Sequence, residues 1–131
     1  MKLKWDNDGL KSPLARARGL GAAGHGSEHW MAQRLTAIAN IPLVLWFAYS
    51  VVALHDTDYA GFIVWLAQPL NAILMILLIV SGLYHATLGI QVITEDYIHS
   101  EGFKAIKLML QKLLFIALGV ASVFSILKIA L

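Results

Sequence analysis

The chain has no cysteine among its 131 residues, so it can form no disulfide, thiolate zinc site, iron-sulfur cluster or CxxCH haem attachment of its own. Histidine is the one strong soft-metal ligand left. Charge is the next scarcity: Asp, Glu, Lys and Arg make up 14% of the residues, where soluble domains carry about 25%. Hydrophobic residues make up 59%, so water is not the main solvent. From Ala37 to Leu54 and from Pro69 to Thr94 there is no charged side chain, and roughly 20 apolar helical residues cross a hydrocarbon core about 30 Å thick. P-loop, GxGxxG, HExxH and GxSxG motifs are missing as well. The apolar windows hold no carboxylate, which speaks against a small proton-coupled exporter.

What is present is an all-α membrane pattern. Lys2, Lys4, Lys11, Arg16 and Arg18, interleaved with glycines, give a basic arm over residues 1–28. That arm suits a membrane surface better than a nucleic acid. Residues 1–33 lack the apolar core of a signal peptide, so the arm is expected to be retained. A three-helix anchor domain follows over residues 29–131, with transmembrane helices predicted at about 29–54, 69–94 and 109–129. Ser27 is a candidate N-cap, and Pro42 is expected to kink the first span rather than end it. Tyr59 to Leu66 is too short to span and reads as an interfacial helix leading to Pro69, while residues 95–108 read as a loop. Lys and Arg fall in the arm and in the second loop, and none in residues 55–68. The positive-inside bias therefore places the N-terminus in the cytoplasm and the C-terminus on the other side of the membrane; a bacterial inner membrane, with the C-terminus periplasmic, is the expected setting. A chain with so little mass outside the bilayer reads as a non-catalytic subunit of something larger.

The stretch that stands out is Ser81 to His99, SGLYHATLGIQVITEDYIH. His85 lies inside an apolar span, where an ionisable group is costly and suggests function. Two readings are open: a neutral histidine bonded to another helix, or an axial ligand to a haem iron. Ser81, Gly82 and Gly89 share its helical face at i−4, i−3 and i+4, leaving a bare surface for a close helix or a flat macrocycle. His25, His29, His55 and His99 lie at or beyond the span ends. A second axial histidine would therefore come from a partner chain.

Arg34, near the head of the first span, could snorkel into headgroups or bind a haem propionate. His29, five residues earlier, points well round the helix from it and is the weaker candidate. Asp96 returns to the face of His85 about 16 Å nearer the surface. Tyr97 reads either as a belt aromatic or as a hydroxyl donor to a quinone carbonyl, with Asp96 ordering water or protons. His25, His55 and His99 read as solvated loop residues, and the tryptophans as interfacial anchors.

With HWMAQRLTAIA at the head of the first span, HATLGIQVITEDYIH at the end of the second, and three crossings, the chain resembles the D-type membrane anchors of succinate dehydrogenase, respiratory Complex II. The resemblance covers roughly His29 to Lys112. It implies that His85 is the axial ligand to a haem b whose other ligand belongs to a C-type cytochrome b anchor subunit. It further implies that Arg34 lies near the propionates, that Tyr97 hydrogen-bonds ubiquinone, and that Asp96 is the adjacent acid; Glu95 departs from the family's pattern, so either carboxylate of the pair can take the acid's role. Flavoprotein and iron-sulfur subunits would complete the complex and feed electrons from succinate to the quinone. Two alternatives stand beside this: the anchor of a fumarate reductase, and a non-redox three-helix scaffold or transporter component in which His85 only packs.

Overall fold

A computed structural model describes residues 26–131, which form four helices: α1 (Gly26–Ala53), α2 (Tyr59–Leu66), α3 (Pro69–Tyr97) and α4 (Glu101–Ala130). No strand occurs among the described residues. The basic arm lies outside them up to residue 25, and His25 with it. Helices α1, α3 and α4 have 28, 29 and 30 residues, or about 42–45 Å at 1.5 Å per residue. Each is long and apolar enough to cross a membrane, and α2 is the predicted short helix between the first two.

The ends differ from expectation at the 95–108 segment. Only residues 98–100 are non-helical there. Charge there suggests a loop, yet Glu, Lys and Gln are good helix formers, so α3 and α4 run on beyond the apolar windows. At the other end α1 begins at Gly26, one residue before Ser27. Pro42 lies inside α1 and leaves the Ile38 carbonyl without its usual i+4 donor.

The opposite turn is firmly built. Asp58 caps α2, its Oδ1 accepting from the Gly61 N–H at 2.9 Å, and Pro69 takes the first turn of α3, where its missing N–H costs nothing. Asn71 Nδ2 donates to the Trp65 carbonyl at 2.9 Å and to Gln68 Oε1 at 3.2 Å, tying α2 to α3. Trp65 stacks on Trp46 of α1 with ring centroids 5.8 Å apart.

The spanning helices form a layer with α3 in the middle. Both α1 and α4 pack along it, and their own Cα atoms stay more than 8 Å apart. Leu66, Ala72 and Ile126 make a small buried cluster near the α2 turn. Elsewhere the large apolar side chains point outward, Leu35, Val52, Leu70 and Ile116 among them, while Ser50, Asn71 and Thr94 are buried. That inversion is what a lipid solvent selects.

Candidate cofactor site

The α1–α3 seam is polar along much of its length. His29, Gln33, Thr36 and Asn40 recur at helical spacing on α1. Thr36 Oγ1 lies 3.0 Å from His85 Nδ1 on α3, and a Cβ added to Gly89 would meet Gln33 Nε2 at 3.7 Å. The same antiparallel register brings Asn40 level with Ser81. His29 Nε2, Gln33 Oε1, Asn40 Oδ1 and Ser81 Oγ are buried with no hydrogen-bond partner among the described residues. Such orphaned groups cost about 1–3 kcal/mol each if left unmet.

His85 is half-buried and held by one nitrogen only. Its Nδ1 faces Thr36, whereas Nε2 has no partner among the described residues and is not among the enclosed polar atoms, so it stays accessible. The contact with α1 matches the packing reading of His85. It also leaves one ring nitrogen presented, which is what a cofactor iron requires of a histidine, so the residue fits a haem. Among the described residues no three His, Asp or Glu gather to hold a bare metal ion; a haem asks only one axial ligand from each side.

The small-residue face beside His85 is divided. At Gly82 an added Cβ would meet nothing within 4 Å, and that position lines a groove of about 420 Å³ between α3 and α4 with Leu78, Leu83, Leu118 and Ser122. Gly89, by contrast, is covered by Gln33, so its bareness serves the approach of α1.

The other predicted residues are spread. Arg34 is exposed, with its guanidinium carbon 5.0 Å from the centroid of the Trp30 ring, while His29 is half-buried; the two do not share a face. Tyr97 is the last residue of α3 and is 79% exposed. Its neighbours differ in availability: Glu95 Oε1 accepts from Gln91 Nε2 at 2.8 Å, but Asp96 takes no hydrogen bond among the described residues and is exposed. His55 is engaged in its own turn with Val52 and Asp56, and His99 is exposed.

Sequence reasoning missed Thr36 and the polar contacts of α4. Lys107 Nζ donates to Thr94 Oγ1 at 2.6 Å, and Gln111 Nε2 donates to the Thr87 carbonyl at 3.2 Å. A search for neutral polar residues at i, i+3 and i+4 along the whole first span, its charged head at Arg34 included, would have found the Gln33, Thr36 and Asn40 stripe.

The family model described as "Succinate dehydrogenase/Fumarate reductase transmembrane subunit" matches residues 9–127. Among curated proteins the chain is 34% identical over 118 residues to a succinate dehydrogenase hydrophobic membrane anchor subunit of Rickettsia bellii, covering 89% of this chain and 94% of that one. It is 27% identical over 94 residues to a succinate dehydrogenase membrane anchor subunit of Reclinomonas americana, covering 70% and 78%. With the anchor subunit of Paracoccus denitrificans it shares 26% identity over 94 residues, covering 72% and 73%. No solved structure matches.

Proposed function

The chain belongs to the family of succinate dehydrogenase/fumarate reductase transmembrane subunits, and from that premise we infer that it anchors a succinate:quinone oxidoreductase, sharing a haem b and a ubiquinone site with its partners. The observation that carries the cofactor reading is His85: an imidazole at membrane depth, fixed through Nδ1 and accessible at Nε2. Its haem would be shared, because no second histidine among the described residues stands at that depth. A C-type cytochrome b anchor supplies the other ligand in this reading, while flavoprotein and iron-sulfur subunits dock at the membrane surface. When bound, the haem supplies a one-electron store.

Arg34 and His29, at the end of α1 nearest the arm, are assigned to the haem carboxylates. They approach from different sides of the helix, His29 with an unmet Nε2 and Arg34 with a guanidinium that can bind a carboxylate in bidentate fashion. Tyr97 is assigned to donate its hydroxyl to a quinone carbonyl. Asp96, free of the bond that occupies Glu95, is the carboxylate that orders water and protons beside it. That location joins lipid, where a quinone dissolves, to water, where protons come from. The arm and the α3–α4 turn face the cytoplasm of a bacterial inner membrane, and the α2 turn faces the periplasm.

The relatives are named for succinate dehydrogenase, which favours succinate oxidation over fumarate reduction as the direction. Native purification through a tag on this chain tests the assignment. Flavin, iron-sulfur protein and haem b should copurify at fixed ratio; a chain recovered without flavin- and iron-bearing partners contradicts it.

A further inference from the structure

We infer that Thr36 is a positioning residue for His85: its Oγ1 accepts a hydrogen bond from Nδ1–H and so fixes the tautomer that leaves the Nε2 lone pair free for iron. This rests on the reading of His85 as a haem ligand. A threonine hydroxyl has one proton to give and two lone pairs to offer. Within its own helix Thr36 Oγ1 lies 2.8 Å from the Ala32 carbonyl oxygen and 3.1 Å from that of Gln33. Carbonyl oxygens only accept, so the hydroxyl proton is drawn to that side. What remains for His85 Nδ1, at 3.0 Å, is a lone pair.

The opposite assignment fails at Oγ1. If the hydroxyl donated to Nδ1, Oγ1 would face the Ala32 oxygen at 2.8 Å with no proton between them. Only Nδ1–H makes every contact attractive. The device is also stiff, because a β-branched side chain in a helix has few χ1 states and back-bonding to the preceding turn selects one. Thr36 therefore holds its lone pair toward α3 whether or not a cofactor is present.

A hydrogen bond from Nδ1–H raises the basicity of the ring as a ligand and favours ferric over ferrous iron. The test is made on the assembled complex purified with wild-type chain, Thr36→Val and Thr36→Ser, reading the haem midpoint potential, the ferric EPR g-values and haem per flavin. Valine keeps the shape and removes the acceptor, so the potential should rise, the g-values shift and haem retention fall, and serine should restore all three. An unchanged potential and EPR signal in Thr36→Val, or a serine variant shifted as far as valine, overturns the inference. Should the valine variant fail to accumulate, Thr36→Ala is read the same way. His85→Ala in the same series separates the two levels: full haem there removes the haem reading itself. Haem loss there beside an unaltered Thr36→Val complex removes only the role of Thr36.

Discussion

Tyr97 and His85 occupy one helix but ask different things of it. His85 is half-buried against α1, whereas Tyr97 stands at the helix end, 79% exposed, about 18 Å further along at 1.5 Å per residue. If Tyr97 serves a quinone, Tyr97→Phe should lower quinone reduction by the assembled complex about tenfold, the worth of one good hydrogen bond, while succinate oxidation by an artificial dye is unchanged. Equal loss of both activities points to failed assembly instead. Asp96→Asn should lower quinone reduction too, and Glu95→Gln should be nearly silent, because Glu95 is engaged with Gln91; the reverse order would exchange their roles. At this scale the sequence marks His85, Asp96 and Tyr97 by their chemistry. It does not mark Thr36, a neutral side chain whose meaning lies in a partner 49 positions away.

Between helices, close approach and a few polar contacts set the geometry. Gly89 faces α1, and a methyl there would meet Gln33 Nε2 at an ordinary 3.7 Å. Gly89→Ala should therefore assemble with full haem, and Gly89→Leu should push α1 off α3, break the Thr36–His85 contact and lose haem; haem per flavin reads both. On the other flank the fully buried Thr94 hydroxyl accepts from Lys107. Thr94→Val should destabilise the anchor by about 1 kcal/mol, between the average of about 0.6 and the maximum of about 1.7 kcal/mol found for hydrogen bonds between membrane helices, seen as faster thermal inactivation. The spans themselves were legible as charge-free windows, as was the short helix before Pro69. Their ends were not, because a charged helix former signals departure from hydrocarbon rather than the end of a helix.

The described residues form a layer of helices rather than a closed bundle. With α3 between α1 and α4, the layer encloses little, and its polar seam offers more hydrogen-bonding atoms than it satisfies. That incompleteness was legible in part, since one histidine cannot ligate a haem from both sides; the order of the helices in the layer was not, because apolar windows do not say which helix lies in the middle. Orientation can be tested cleanly because the chain has no native cysteine. Ser100→Cys, at an α4 N-cap that makes no side-chain cap bond, should be shielded from an impermeant maleimide in intact spheroplasts, and Asp56→Cys should be labelled; the opposite pattern inverts the topology. The most direct test of a shared haem is the reduced-minus-oxidised spectrum of the complex purified through this chain, with and without His85. A b-type band in the wild-type complex that is lost in His85→Ala, with flavin retained, is the predicted result. The same band and the same haem content in both would contradict it.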